Sequence, residues 1–150
     1  MIDKQALLEL MNQADAAYIA TVADNRPRIR AVTNLRRLGP GAAAGPSCCR
    51  EGLTSYFATS LASDKVREIR ANPAVSVYYA DSGKVHGVEL SGEMDILTGA
   101  DLKAALWRDE WRIYWPTGAA DPDYVVLRLK PTRASGWWGT SPFRFDASVP

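Results

Sequence analysis

Apolar residues recur at helical spacing first at Leu7, Leu8, Met11 and Ala14, which predicts a helix running to about Ala14 with Asp3 as its cap. The pattern then changes to short strand-like runs. Residues 17–22 (AYIATV) read as one strand, 24–27 as a turn, and 28–35 as a second strand with Arg28 and Arg30 on one face and Ile29, Ala31 and Thr33 on the other. Residues 39–52 (GPGAAAGPSCCREG) have no periodicity and read as a long flexible loop insertion. Leu53 to Ala58 suits a buried strand. A turn over 59–62 follows, and Ser63 then opens a helix with Val66 and Ile69 on one face that ends before Pro73.

The second half continues in the same way. Ala74 to Ala80 is a strand, 81–83 a turn, and Val85 to Leu97 a long strand with Val88, Leu90, Met94 and Ile96 inward and Glu89, Ser91, Glu93 and Asp95 outward. Gly87 and Gly92 fit bulges or a sharp bend in it. Residues 98–101 form a capping-box start for a helix carrying Leu102, Ala105, Leu106 and Ile113, stopped by Pro116. Tyr124 to Lys130 and Arg133 to Gly139 read as the last two strands, with 141–150 as a loose tail. Six or so antiparallel strands with helices after the third and fifth suggest one mainly β domain over 1–150, a small closed barrel with flanking helices.

Composition narrows the function classes. A net charge of +1 without long single-sign runs argues against a dedicated nucleic-acid binder, and no apolar run approaches the ~18 residues of a membrane span. The start lacks a signal-peptide pattern, and the adjacent Cys48 and Cys49 cannot build a disulfide framework, so the cytoplasm is the simplest compartment. Both cysteines are expected as solvent-exposed loop thiols. A lone histidine, His86, makes a zinc site unattractive. No Walker A or dinucleotide-binding glycine motif is present.

The most suggestive chemistry lies at 59–65. Thr59, Ser60 and Ser63 offer hydroxyls, the helix start offers free N–H groups, and Lys65 offers an ammonium, a combination that suits a phosphate. An ordinary serine cap beside a surface lysine is the plainer explanation of the same residues. Arg30, in mid-strand, either faces solvent at an edge or needs an anionic partner. Trp107, Trp111, Tyr114 and Trp115 add bulk for a subunit interface, a ligand wall, or a helix packed into the core.

These motifs in this order resemble the FMN-binding split-barrel superfamily related to pyridoxamine 5′-phosphate oxidase, and within it the general stress protein 26 group. The resemblance spans about Ala16 to Trp138. It is carried by residues 26–32 (RPRIRAV), by Tyr56 to Thr59 followed by Ser63, Asp64, Lys65, Asn72 and Pro73, by Leu90 to Glu93, and by Trp115, Pro116, Gly118, Asp121 and Pro122 ahead of a final Trp-containing segment. It implies a six-stranded antiparallel split barrel with an N-terminal and two inserted helices, and an FMN held at a homodimer interface. Arg30 and Lys65 would neutralise the phosphate, Thr59 and Ser63 would donate hydrogen bonds to it, the backbone of Ala31, Val32 and Thr33 would run along the flavin ring, and Ala58 would sit beside it. A flavin-dependent oxidoreductase acting on an unidentified small molecule or electron donor is then expected. The alternative is a non-catalytic protein that carries or senses flavin, haem or deazaflavin, with His86 as the candidate haem ligand.

The departures from the family pattern are equally specific. Asp64 stands where the oxidase has an arginine, and Gly87 where a glutamine is expected to touch the flavin edge. The oxidase's C-terminal substrate-binding segment has no match, so vitamin B6 oxidation is not expected.

Overall fold

The computed structural model describes residues 2–37 and 47–148. Helix α1 (Lys4–Gln13) starts where Asp3 accepts the Gln5 N–H at 3.0 Å, and it buries Leu7, Leu10 and Met11. Strands β1 (Ala17–Ala23) and β2 (Arg26–Val32) form a hairpin whose two turn residues, Asp24 and Asn25, both have positive φ, as a tight primed turn requires. The remaining elements are β3 (Ser55–Ser60), α2 (Asp64–Ala71), β4 (Ala74–Asp81), β5 (His86–Leu97), α3 (Ala100–Leu106), β6 (Tyr124–Leu129), β7 (Arg133–Trp138) and β8 (Ser141–Asp146).

The strands follow the path β2-β1-β4-β5-β6-β3, with β7 and β8 branching from β5. All pairings among the described residues are antiparallel, giving there a mostly β split barrel with three α-helices. The branch is possible because β5 is long enough to serve two neighbours. Its first half, from His86 to Ser91, pairs with β7, and its second half, from Met94 to Leu97, pairs with β6. Gly92 sits at the change-over, where a Cβ would lie 3.1 Å from the Lys130 carbonyl oxygen. This close backbone approach is what requires glycine there. Gly87, by contrast, lies in an unbroken ladder between Ala80 and Trp137, and its missing side chain makes room for the Tyr78 ring crossing it.

The main core combines α1, α2 and the inner sheet face, including Ile19, Phe57, Val66, Ile69, Val77, Tyr79, Val88 and Leu90. A second, smaller cluster joins Leu35, Cys49, Leu106, Trp111, Trp115, Tyr124 and Val126. The tryptophans at 111 and 115 are therefore mostly core. Trp115 stacks edge-on against Tyr124 at 5.0 Å, and its indole N–H donates to Ser60 Oγ at 3.2 Å.

Several expectations need correction. Eight strands are present among the described residues where six or so are expected, and the tail expected to be loose contains β8, which pairs along all of β7 and packs Phe143 and Phe145 on the main core. Helix α3 ends at Leu106 because Trp107 turns out to ψ 140° toward the aromatic cluster. Ile113 then falls on a separate 3-10 turn, 78% exposed. The cap of α3 is Gly99, without a side-chain hydrogen bond, so the capping box at 98–101 does not form. Most of the 39–52 loop lies outside the described residues. Its described end, Ser47–Arg50, is a 3-10 turn with Cys49 buried, not solvent-exposed, beside the buried Arg36. Arg36 is held by carbonyl oxygens of Gly52 and Thr54, both at 2.9 Å, and by Asn12. No helix among the described residues is long and apolar enough to cross a membrane.

Candidate functional site

The strand path ends at β2 and β3, which are open edges of the sheet, as is β8 at the end of the branch. Helix α2 lies between β2 and β3. It follows β3 directly, so the turn at 61–63 decides where its first residues point. That turn is fastened to the start of β6, where the Leu61 N–H donates to the Asp123 carbonyl at 2.6 Å and the Ala62 N–H to its carboxylate at 3.1 Å. The Ser63 N–H returns to the Ser60 carbonyl at 3.0 Å. Ser63 is the N-cap of α2 but makes no side-chain cap bond. The first-turn N–H groups are thus left for another acceptor, which is the condition for an anion site at a helix start.

Side chains from both edges converge on this end of α2. Lys65 Nζ donates to Thr59 Oγ1 at 2.7 Å, and Thr59 Oγ1 lies 3.4 Å from Ser63 Oγ. From the opposite edge, Arg30 donates through one terminal nitrogen to Thr21 Oγ1 and through the other to Glu68 Oε2, both at 2.7 Å. Thr21 in turn donates to Glu68 Oε2 at 2.5 Å. Arg30 is also close enough to Lys65 to depress its pKa, although burial is the larger cause, and Asp64 and Glu68 oppose both. Arg30, Thr59, Ser63 and Lys65 are therefore brought together, as the sequence suggests. Asp64 faces outward in an ion pair with Arg67 at 2.8 Å.

The other expected residues stand apart from this cluster. Ala58 lies on the opposite face of β3 from Thr59, packed on the aromatic cluster. Ala31 and Val32 are on the last turn of open-edge β2, and Thr33, exposed, follows it. Among the described residues their backbone is at an edge paired only to β1, which leaves its other side accessible to a planar ligand lying along the strand.

Sequence reasoning missed Thr21 and Glu68. Glu68 is 4% exposed, and its Oε1 has no hydrogen-bond partner among the described residues, with Arg28 Nε at 3.6 Å. A charged residue on a short helix reads as solvent-facing, and only the packing of α2 on β1 and β2 turns it inward. The Thr21 hydroxyl bond, then the Arg30 hydrogen bond, hold the Glu68 carboxyl below the ordinary carboxylate range, against burial, which raises it. A carboxylate depressed in the folded state stabilises the fold above its unfolded pKa, about 4.3, and loses that contribution as pH falls through the folded value. Thermal melts of the ligand-free protein should therefore show an acid limb below about pH 4 that Glu68→Gln flattens. An unchanged limb in the variant would remove Glu68 from the account.

His86 is not part of the cluster. Its ring stacks on Trp138 at 3.9 Å and 15°, beside a separate cavity of about 360 Å³ lined by α1 and the β4–β5 turn. Among the described residues, no group of His, Cys, Asp and Glu has the arrangement of a metal site.

The family model described as pyridoxamine 5′-phosphate oxidase matches residues 3–138 of this chain. General stress protein 26 of Bacillus subtilis (strain 168) is 28% identical over 131 residues, 85% of this chain and 83% of that relative. Among solved structures, a protein related to general stress protein 26 from Clostridium acetobutylicum is 25% identical, with a TM-score of 0.74 over 97% of this chain and 96% of that one. A pyridoxamine 5′-phosphate oxidase-related, FMN binding protein from Nostoc punctiforme shares the fold at 18% identity and a TM-score of 0.62, covering 93% of this chain and 86% of that one. A heme binding protein from Mycobacterium smegmatis also shares it, at 17% identity and a TM-score of 0.64, covering 98% of this chain and 60% of that one.

Proposed function

This chain belongs to the pyridoxamine 5′-phosphate oxidase family, and from that premise we propose that it is an FMN-binding protein whose flavin serves an oxidoreductase reaction on a substrate other than a B6 vitamer. The observation that carries the reading is the meeting of Arg30 and Lys65 at the uncapped start of α2, with the Thr59 and Ser63 hydroxyls between the barrel's open edges. Two cations, two hydroxyls and unused N–H groups suit a phosphate monoester rather than a neutral ligand. Asp64 does not spoil this arrangement, because Arg67 draws its carboxylate outward.

When bound, the flavin would supply the hydride or electron chemistry. The chain's own contribution is to bind and orient. Arg30, Lys65, Thr59 and Ser63 would anchor the phosphate, and the edge backbone of Ala31 to Thr33 would receive the ring. Tyr78, which fills the space over Gly87, stands near the position where the family's glutamine is missing.

The exposed side of the sheet supports a homodimer as the working form. Tyr18 is paired in register with Tyr78, and Ile29, Val22 and Trp137 extend the same outward face, with Ile29 71% exposed. A contiguous apolar face of this kind is unusual on a monomer.

The visible spectrum of freshly purified protein, followed by heat release and chromatography of the ligand, tests the reading. The expected result is a flavin spectrum, about one FMN per chain, and a dimer by light scattering. A Soret band would instead favour haem, as in the solved relative from Mycobacterium smegmatis. A colourless protein that takes up no added FMN would end the flavin assignment.

A further inference from the structure

Glu68 is the residue in this site that the phosphate reading does not call for. A buried carboxylate facing an anion site should repel its ligand, yet Glu68 is 4% exposed and firmly held. The bonds it makes explain its presence. Arg30, Thr21 and Glu68 form a closed ring in which Arg30 donates to Thr21, Thr21 donates to Glu68, and Arg30 donates to Glu68. The ring uses one hydrogen from each terminal nitrogen of Arg30, so a guanidinium with five N–H donors keeps the remainder for an incoming ligand.

The charge pattern around the ring points the same way. Arg30 and Lys65 stand close enough to depress the lysine pKa. With no ligand between them, two cations of this kind would swing apart toward solvent. Glu68 sits one helical turn beyond Lys65 on α2 and is bonded directly to Arg30, so it offsets their repulsion and fixes the arginine's direction. We infer that Glu68, by its direct bond to Arg30 and by its link through Thr21, is a positioning residue that pre-sets Arg30 beside Lys65 for the phosphate of the flavin. The inference rests on the flavin-phosphate reading above and assigns Glu68 no contact with the flavin itself.

A positioning role and a purely structural role differ in what they do to two related ligands. FMN and riboflavin share the ring and ribityl chain and differ by the phosphate. Loss of Arg30 alignment should therefore weaken FMN and leave riboflavin nearly untouched, whereas general loosening of the fold weakens both. The experiment is a fluorescence titration of FMN and of riboflavin into ligand-stripped protein, for the wild type, Glu68→Gln and Thr21→Val. Thr21→Val keeps every charge and removes the hydroxyl link, so it carries the test if Glu68→Gln does not fold.

For Glu68→Gln the expected result is FMN binding weakened by about tenfold or more, with riboflavin changed by less than about twofold. Thr21→Val should show the same selectivity with a smaller loss. Equal losses for both ligands would make the ring structural and overturn the inference. FMN binding that is unchanged or tighter in Glu68→Gln would overturn it too, since the carboxylate would then be neutral or a competitor of the phosphate. Wild-type protein that binds neither flavin refutes the cofactor reading itself and takes this role of Glu68 with it. Wild-type protein that prefers FMN, combined with variants that keep that preference undiminished, refutes the role of Glu68 alone.

Discussion

Lys65→Ala is expected to weaken FMN binding by about 1.5–3 kcal/mol, the range for losing a charge-assisted hydrogen bond, or roughly 10- to 150-fold in Kd. The same change should leave the empty protein almost as stable as before. Burial first, and Arg30 second, push the Lys65 pKa down. A lysine whose folded pKa lies below its unfolded one opposes folding wherever it is protonated. Alanine removes that penalty and costs only the bond to Thr59 at 2.7 Å. The two effects separate in a melting experiment. Ligand-free Lys65→Ala should melt close to wild type, while the upward shift that FMN gives the wild type should shrink sharply, because ligand stabilisation follows the ratio of ligand concentration to Kd. A variant that keeps the full FMN-induced shift would show that Lys65 is not a phosphate ligand.

The largest loss of stability should come from a residue far from the cradle. Gly136 lies in β7 opposite Val88, and a Cβ there would sit 2.0 Å from the Gly87 carbonyl oxygen and 3.0 Å from Phe143. The obstacle is backbone in a paired strand, so β5 and β7 must separate to admit even a methyl group. Gly136→Ala should cost about 3 kcal/mol, the upper end for overpacking a close-packed site, and lower Tm by roughly 6–12 °C in a chain of this size. Gly87→Ala is the control. Its Cβ would also come within 2.0 Å of an atom, but that atom is the hydroxyl oxygen of Tyr78, a side chain 39% exposed that has room to move. Gly87→Ala should therefore be clearly milder. Equal melting temperatures for the two variants would contradict this account of the β5–β7 contact.

Much of this molecule was legible in its residues, for identifiable reasons. The helix α1 formed where the Asp3 cap placed it, and the β1–β2 hairpin formed too, but on a tighter Asp24–Asn25 turn that moves β2 to Arg26–Val32 from the expected 28–35. Thr59, Ser63 and Lys65 came from the hydroxyl, lysine and helix-start chemistry at 59–65, Arg30 joined them through the family resemblance, and the folded chain gathers those four side chains. What was not legible depended on long-range packing. The alternation of Phe143 and Phe145 is a strand signal, but Pro142 and a polar setting made the segment read as a tail until β7 offered it a partner. Ile113 fits the helical spacing of Leu102 and Leu106, yet the pull of Trp107 toward Trp111, Trp115 and Tyr124 ends the helix first. Glu68 is the clearest case. Its burial is set by β1 and β2, strands more than thirty residues earlier, and nothing in the local sequence of α2 announces it.

The open edge at β2 also bears on how the protein stays dispersed. An unpaired strand edge is a template for another chain's strand, and sheets left so exposed stack into aggregates. Here that edge carries Arg26, Pro27, Arg28 and Arg30 within seven residues. Proline interrupts the row of donors, and like charges on a second β2 would be brought into register against them. Self-association by strand addition is thereby discouraged at the very place where the barrel fails to close. The homodimer proposed above would then meet through sheet faces, which saturate once paired, and not through the β2 edge, which would propagate.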